Sequence, residues 1–349
     1  AALEGFKTAP GIKIMVFYPN EGDSKMQKLQ MATQEGSNVA VVAVRSNFDD
    51  CQSAVKTIFT SDACKEELLR KGYILSSANS INFGRLAPQI AYYFSAYLDL
   101  VSSGQIEMGD KVNFAVPTGN FGNILAAYYA MRMGLPIGKL VCASNKNNIL
   151  TDFIRTGVYD KRREFFKTMS PSMDILISSN LERLLFELSG RNAVRTKLRM
   201  DKLREEGVYE IYDEEKEEIG KLFYADYCGE DETVETIYEF FEEYQYPMDT
   251  HTACAMYAAA SYMEKEKDHD TPMVVVSTAS PYKFPQDVMY ALTGNDIKDS
   301  FKAIKHLNIT TAMKVPKSLS GLRDKKVRFD IVADKDKLYP EVLKFAEKK

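Results

Sequence analysis

The chain has 349 residues, of which 45% are hydrophobic and 27% are charged, and its formal net charge is -4. This composition is typical of a globular protein with room for one large core or two unequal lobes. The small net charge excludes a protein that a global positive field draws to nucleic acid or to acidic membranes. The longest apolar runs, such as residues 273–276, are too short to span a bilayer.

Cysteine and histidine usage argues against disulfides and against a metal site. The five cysteines are an odd, scattered set without a C-x-x-C pair: Cys51, Cys64, Cys142, Cys228 and Cys254. Such a set indicates reduced thiols, so we expect a cytoplasmic protein. The three histidines form no zinc-ligand pattern with these cysteines, so we expect no bound metal.

The start of the sequence is unusual. The first residue is not Met, and a helical pattern over residues 1–7 begins without a capping residue. No apolar segment typical of a secretory signal follows. Because a natural domain rarely begins inside an element, we expect a fragment of a longer protein.

Apolar, β-branched runs alternate with helical stretches along the chain. Strands are predicted at residues 12–18, 39–44, 73–76, 112–116, 140–143, 273–277 and 327–332. Helices are predicted at 24–35, 49–59, 64–71, 82–102, 180–189 and 254–261, with a kink at Pro88. Residues 200–245 are highly charged and almost entirely helical in pattern, and the acidic run 213–218 is interpreted as a solvated helix face. The alternation predicts an α/β protein with a mostly parallel sheet.

The most informative segment is the turn 117–123, which joins the strand 112–116 to a helical run that begins at Ile124. Backbone N–H groups are free at the start of a helix, where the dipole adds positive charge, so the turn is suited to a dianionic phosphate. Gly119 and Gly122 lack a Cβ and let the backbone approach an anion closely. The alternative is an ordinary loop. The turn matches neither G-x-G-x-x-G nor G-x-x-x-x-G-K-[ST], which disfavours a dinucleotide or a triphosphate.

A second cluster, residues 76–85, places small hydroxyl and amide side chains before a helix with Arg85 in its first turn. An arginine near a helix N-terminus favours a counter-anion, such as the phosphate or carboxylate of a substrate. The alternative is that Ser80 or Asn82 simply caps the helix.

Two further loops carry polar side chains. His251, in the segment 249–253, is either a buried or capping residue or a member of a site. Residues 277–283 follow the strand at 273–277, and open α/β sheets bind ligands at the carboxyl ends of parallel strands. The loops 118–123, 77–85 and 277–283 are therefore expected to converge. No Ser/His/Asp order and no G-x-S-x-G elbow indicates a hydrolase.

Several long motifs occur together in an order typical of one enzyme family. They are Ser24–Gln27 with Gln30–Met31, Phe48–Gln52, Ser77–Leu86, Pro117–Asn123, Met133–Pro136, Ser172–Asp174, Ser178–Arg183 and His251–Ala253. On these motifs the chain resembles threonine synthase from residue 1 to about residue 290, and more weakly to its end.

The resemblance implies an α/β fold-type II enzyme that depends on pyridoxal 5'-phosphate, similar to the tryptophan synthase β chain. Its sheets are mostly parallel with helices on both faces, and its N-terminal part is expected to be missing here. Residues 1–78 would be the remainder of a small lobe, and residues 79–349 a large lobe with a helical, charged insertion around 195–247. The implied reaction converts O-phospho-L-homoserine and water into L-threonine and phosphate in a monomer or homodimer.

Site residues also follow from the resemblance. The cofactor phosphate would be held by Gly119, Asn120, Phe121, Gly122 and Asn123, and the pyridine nitrogen by the hydroxyl of Thr278. The substrate's phosphate or carboxylate would be bound by Ser80, Asn82, Arg85 and Lys283.

Two departures from the family pattern bear on activity. Ser280 stands where relatives commonly have His in Thr-Ala-His-Pro-Ala-Lys-Phe, so the role of that histidine is in doubt here. The family's Schiff-base lysine, in a Phe-Lys-Asp motif, is absent, and Lys7 in Phe6-Lys7-Thr8 is no substitute. We therefore assign no catalytic residue and expect the fragment alone to be inactive. The alternatives are a related phospholyase that ends at a keto acid and a non-catalytic phosphate-binding module.

Overall fold

A computed structural model describes residues 2–20, 25–46, 48–80 and 82–348. Their contacts divide the chain into two compact units. Unit 1 comprises Ala1–Ala78, Asp299–Asn308 and Ala312–Lys349, and unit 2 comprises Asn79–Lys298 and Ile309–Thr311.

Strands and helices alternate along most of the chain. The strands are β1 (Ile14–Pro19), β2 (Val39–Val44), β3 (Val112–Pro117), β4 (Ile137–Ser144), β5 (Val158–Asp160), β6 (Val208–Glu210), β7 (Phe223–Tyr227), β8 (Met273–Val275) and β9 (Val332–Ala333). The helices are α1 (Ala2–Phe6), α2 (Lys25–Ala32), α3 (Phe48–Thr60), α4 (Asp62–Arg70), α5 (Phe83–Leu86), α6 (Ile90–Ser102), α7 (Gly122–Arg132), α8 (Ile149–Thr156), α9 (Leu181–Leu188), α10 (Ala193–Glu205), α11 (Asp213–Leu222), α12 (Glu230–Tyr244), α13 (Thr250–Glu266), α14 (Pro285–Thr293), α15 (Ser300–Thr311) and α16 (Leu338–Glu347). Within the described ranges, no helix has both the length and the apolar character needed to cross a membrane.

Unit 1 is built on a parallel three-stranded sheet in the order β1-β2-β9. The C-terminal strand β9 joins this sheet through β2, where Ala43 N donates to Ile331 O at 2.9 Å and Arg45 N to Ala333 O at 3.0 Å. This differs from the predicted division, which placed all of 79–349 in one lobe. The reason is a pairing between two strands that are distant in sequence.

Unit 2 contains a parallel four-stranded sheet in the order β7-β4-β3-β8, with β3 buried along its whole length. Alternate residues of β3 point to opposite faces. Phe114 and Val116 belong to one apolar cluster with Ile124 of α7, whereas Ala115 belongs to a second with Ala255 of α13. Helices therefore cover both faces of this sheet, and the buried strand β3 brings its carboxyl end to the start of α7.

Several predicted boundaries differ from the structure for local reasons. The helix predicted at 82–102 is divided into α5, a 3₁₀ turn at Ala87–Gln89, and α6. Pro88 lies in that turn because it has no N–H to donate within an α-helix. Ser24, the predicted first residue of the helix 24–35, lies outside the described residues, and α2 ends at Ala32.

Two strand predictions and one helix prediction need correction. Residues 73–76 form no strand, and of the segment 327–332 only the last residue, Val332, lies within a strand, β9. The segment 195–247 is not purely helical, since it contains β6 and β7. Because β7 pairs with β4 from Leu140 to Ser144, this segment is part of the main sheet.

Candidate functional site: the turn before helix α7

The turn Thr118–Phe121 lies at the carboxyl edge of β3, directly before α7. Thr118 N donates to Ala143 O at 2.8 Å and extends the pairing of β3 with β4 by one residue. The Thr118 hydroxyl donates to Val116 O at 2.7 Å, so the two hydrogen-bond donors of this buried residue fix the start of the turn.

The N-terminus of α7 has no side-chain cap. Its N-cap residue Phe121 has a φ of 59°, a left-handed conformation that is uncommon for a bulky residue, and its buried ring packs on Phe223 at 5.8 Å. Within the described part of the chain, none of the N–H groups of residues 119–123 donates to a protein acceptor. These donors and the positive helix end make a site for an anion.

Two carbonyl groups of the turn accept hydrogen bonds from the segment 178–180. Ser178 Oγ donates to Gly119 O at 2.8 Å, and Asn180 Nδ2 and Asn180 N donate to Asn120 O at 2.8 and 3.1 Å. In a trans peptide the C=O and N–H groups point in opposite directions. These bonds therefore direct the N–H groups of Asn120 and Phe121 away from the segment 178–180.

The two glycines of the turn have different packing. A Cβ on Gly119 would lie 2.6 Å from Ser172 O, whereas a Cβ on Gly122 would meet its nearest neighbours at an ordinary 3.5 Å. The sequence interpretation assigned both glycines to close approach by an anion. At position 119 the closest neighbour is protein backbone, so the segment 170–174 by itself requires a glycine there.

Asn123, in the first turn of α7, is bound by a buried tyrosine of α6. The Tyr93 hydroxyl is 2.8 Å from Asn123 Oδ1 and 3.0 Å from Asn123 O. Burial raises the pKa of Tyr93, so its hydroxyl remains protonated and serves as the donor. The Asn123 side chain is thereby held in place and its Oδ1 is occupied.

Of the predicted substrate residues, Ser80 lies beside the turn. Its Oγ accepts from Asn180 Nδ2 at 2.9 Å, and its Cβ is 3.5 Å from the point where a Cβ on Gly122 would be. Asn180 therefore joins Ser80 to Asn120. Neither Asn180 nor Ser178 was selected from the sequence as a site residue, although both lie in the motif Ser178–Arg183.

Asn82 and Arg85 lie on the adjacent short helix. Asn82 is the N-cap of α5 and accepts from Gly84 N at 2.9 Å, which is the capping role considered as the alternative. Arg85 is exposed in the last turn of this four-residue helix, so the dipole argument for a counter-anion does not apply. Among the described residues, its guanidinium has no ion-pair partner.

Lys283 lies beside the segment 170–174, which contacts Gly119. Its Nζ lies 3.5 Å from Ser172 Oγ. Loss of solvent around the ammonium group lowers the pKa of Lys283, and the Asp249 carboxylate opposes this effect.

The remaining residues of this loop are placed by β8. Val276 N donates to Ala115 O at 2.9 Å, so Thr278 follows β8 at the same sheet edge as the turn, with an exposed side chain. Ser280, which stands where relatives commonly have His, caps the 3₁₀ turn Pro281–Lys283 by accepting from Tyr282 N at 3.3 Å.

Within the described residues no group of three or more His, Cys, Asp or Glu side chains is arranged to hold a metal ion. The donors around the turn are main-chain amides, hydroxyls and carboxamides, together with Lys283. Such a donor set suits a phosphate rather than a cation.

Comparisons with known proteins show which family the chain is similar to. The family model described as "Threonine synthase, C-terminal" matches residues 252–340. Threonine synthase-like 1 of Homo sapiens is 43% identical over 291 residues, which are 83% of this chain and 39% of that protein. Threonine synthase of Pseudomonas aeruginosa is 39% identical over 294 residues, which are 84% of this chain and 60% of that protein.

A crystal structure of PLP-bound threonine synthase from Brucella melitensis matches 99% of this chain and 68% of its own, with a TM-score of 0.82 and 35% identity. This chain belongs to the threonine synthase family. The match confirms the predicted fold class, the α/β fold of fold-type II, over the residues present. The chain spans 39% to 60% of the length of the human and Pseudomonas relatives.

Proposed function

We propose that the turn before α7 binds the phosphate of pyridoxal 5'-phosphate, and that the protein containing this chain converts O-phospho-L-homoserine and water into L-threonine and phosphate. One observation carries the proposal. The N–H groups of residues 119–123 have no acceptor among the described residues, while the carbonyls of Gly119 and Asn120 are bonded to Ser178 and Asn180. Membership of the threonine synthase family supports the reaction.

The residues present fit this cofactor. Its phosphate needs several donors and no nearby carboxylate, and the first turn of α7 contains no acidic residue. When bound, the cofactor supplies a ring that withdraws electrons from the reacting carbon. In this proposal Thr278, at the same sheet edge, would donate a hydrogen bond from its hydroxyl to the pyridine nitrogen, and this neutral donor would leave that nitrogen unprotonated.

Cationic and hydroxyl groups beside the turn are proposed to bind the substrate. Arg85 is exposed and presents the fork geometry that suits a phosphate or carboxylate. The ammonium group of Lys283 would attract an anion, and the lowered pKa of Lys283 would ease the exchange of a proton at its Nζ. Ser80 Oγ accepts from Asn180 and retains its own proton for donation, and Asn82 holds the start of α5 that carries Arg85.

The chain alone is proposed to form no threonine. None of its lysines lies in the Phe-Lys-Asp motif of the family's Schiff-base lysine, so a covalent link to the cofactor has no matching residue here. We propose weak, non-covalent cofactor binding by this chain, a cytoplasmic location, and a monomeric or homodimeric state for the natural protein.

Binding is tested by NMR on the isotopically labelled chain. Titration with pyridoxal 5'-phosphate and with inorganic phosphate should shift the amide signals of residues 119–123, whereas pyridoxal, which lacks the phosphate, should not. If the phosphorylated ligands leave these signals unchanged, or if pyridoxal shifts them equally, the turn is not the phosphate site.

A related phospholyase is the alternative reaction, since the name of the 43% identical human relative, threonine synthase-like 1, does not itself specify the synthase reaction. A phospholyase would convert the same substrate and water into 2-oxobutanoate, ammonia and phosphate. Product analysis of the natural-length protein separates the reactions, since only the synthase releases threonine. Release of phosphate with 2-oxobutanoate and without threonine would identify a phospholyase instead of a synthase. If neither threonine nor 2-oxobutanoate forms, a non-catalytic phosphate-binding module is the remaining interpretation.

A further inference from the structure

We infer that His251 is a positioning residue, a neutral imidazole protonated on Nδ1 that holds the backbone of Ser172 against Gly119 and so shapes the turn before α7. This arrangement of protein groups is independent of any ligand. Its effect on ligand binding rests on the proposed function, since it concerns the phosphate site at that turn.

The proton on Nδ1 follows from the partner of this nitrogen. His251 Nδ1 lies 3.1 Å from Asp249 Oδ1, and Asp249 is the N-cap of α13. Although burial alone would raise it, the pKa of Asp249 is held below its usual value by hydrogen bonds from His251 and Thr252. An ionised carboxylate only accepts hydrogen bonds, so Nδ1 must donate.

The other ring nitrogen has the opposite role. Ser172 N donates to His251 Nε2 at 3.1 Å, and a backbone N–H is only a donor, so Nε2 carries a lone pair. The two contacts together specify one tautomer of the neutral ring. The residue His251 is 3% exposed and its ring packs on Phe284 at 4.8 Å between ring centroids, so both contacts are shielded from water.

The hydrogen bond to Ser172 reaches the turn through backbone. Ser172 O lies 2.6 Å from the point where a Cβ on Gly119 would be, while Ser172 N is bound by His251. The first turn of α13 also holds Met169, three residues before Ser172, because Thr250 Oγ1 donates to Met169 O at 2.7 Å. A displacement of this segment would therefore be transmitted to Gly119.

A buried histidine that only fills space would be replaceable by any ring or chain of similar volume. Here an apolar replacement would leave the Ser172 N–H and an Asp249 carboxylate oxygen without this partner in a buried location, and each such loss is costly. The contacts thus predict that the acceptor at the Nε2 position, and not only the volume of the ring, determines the position of Ser172.

Two matched variants separate these roles. His251→Gln places an amide oxygen near the Nε2 position and is able to accept from Ser172 N, whereas His251→Asn places its amide near the Nδ1 position and retains only the contact with Asp249. We expect His251→Asn to shift the amide signals of Ser172 and Gly119 and to weaken binding of pyridoxal 5'-phosphate about fivefold to tenfold. His251→Gln should restore both properties most of the way to wild type.

The imidazole nitrogens are observed directly by ¹⁵N NMR of the wild-type chain at neutral pH. The expected result is a protonated Nδ1 and an unprotonated Nε2. A charged ring, the opposite tautomer, or equal effects of Asn and Gln at matched thermal stability would overturn the inference. If the wild-type chain binds no pyridoxal 5'-phosphate, the proposed function fails, but the imidazole and amide signals of the ligand-free chain still decide the role of His251.

Discussion

The backbone oxygen of Ser172 occupies space that a Cβ on Gly119 would need, at a distance of 2.6 Å. Real Cβ atoms do not come so close to an oxygen, and the neighbour here is backbone rather than a mobile side-chain end. The segment 170–174 and the turn before α7 are therefore packed too closely for any other residue at position 119. Both the stability of the chain and its ligand binding are expected to depend on the contact between Ser172 O and Gly119.

Gly119→Ala is expected to lower the free energy of unfolding by about 1–3 kcal/mol, because one backbone segment must move to admit the methyl group. The displaced turn should also bind pyridoxal 5'-phosphate more weakly. Chemical denaturation and ligand titration measure the two effects. Gly122→Ala is the matched control for stability, since its Cβ would meet neighbours at 3.5 Å. Equal stability of the two variants would contradict the prediction.

Tyr93→Phe is expected to destabilise the chain by about 1 kcal/mol and to weaken phosphate binding, because Asn123 Oδ1 and the first turn of α7 lose their donor. The control is Tyr97→Phe, one turn later on α6. Tyr97 is equally buried, but its hydroxyl contacts Gly109 N at 2.8 Å and Asp110 O at 3.1 Å instead. Both variants should lose stability, and only Tyr93→Phe should alter the titration with inorganic phosphate.

Asp226 on β7 is expected to make stability dependent on pH in the acid range. Burial alone would raise its pKa, but hydrogen bonds from Lys265 and Ser261 and the charge of Arg155 lower the pKa of Asp226 to about 2. An unfolded aspartate titrates near ~3.9, so the folded state favours the ionised form. The resulting stabilisation, about 2 kcal/mol, is complete above about pH 5 and is lost as the pH falls toward 2.

Asp226→Asn should therefore be less stable than wild type at pH 7, and the difference should be about half as large at pH 3. Denaturation at several pH values measures it. Glu264→Gln is the control, since Glu264 and Lys267 form an ion pair with side chains 72% and 74% exposed. Exposed pairs contribute ~0–1 kcal/mol, so this variant should differ little at any pH. A difference for Asp226→Asn that grows on acidification would refute the assignment.

Arg199→Met is expected to cost about 3–5 kcal/mol, because it leaves the carboxylate of Glu215 buried without its main partner. The two side chains are only 7% and 2% exposed and form two hydrogen bonds. Arg195→Met removes a weaker partner of the same carboxylate, since the Arg195 side chain is 34% exposed and its guanidinium lies 3.4 Å from Glu215. Thermal and chemical denaturation should show a much smaller loss for this variant; comparable losses would show that burial of the pair is not the cause.

The predictable part of the fold is the part with strong local patterns. The strand β3 is a mostly apolar run followed by a glycine-containing turn and a helical run. The structure places the three in this order, with α7 beginning at Gly122, two residues before the predicted start. The weak strand pattern at 73–76 remains unpaired, whereas β7, inside a segment of helical pattern, pairs along five residues with β4. Short strands depend on the partner strand, and no local signal identifies that partner.

The candidate site also has a part that the sequence predicts and a part that it does not. The position of the turn before α7 follows from residues that are adjacent in sequence, so local patterns predict it. The contacts that shape it were not, because Ser172, Asn180 and His251 come from segments that are distant in the chain. The sequence allowed either a structural or a site role for His251. In the structure His251 is buried, and its two ring nitrogens contact Asp249 and Ser172.

By itself the sequence determined the α/β class, the family resemblance and the location of the turn, because periodicity, turn residues and motif order are properties of neighbouring residues. Only the tertiary structure decided which groups of the turn remain available for a ligand. The carbonyls of Gly119 and Asn120 are bonded to Ser178 and Asn180, so the amides point the other way. Peptide orientation depends on partners that folding brings together, and no local pattern records it.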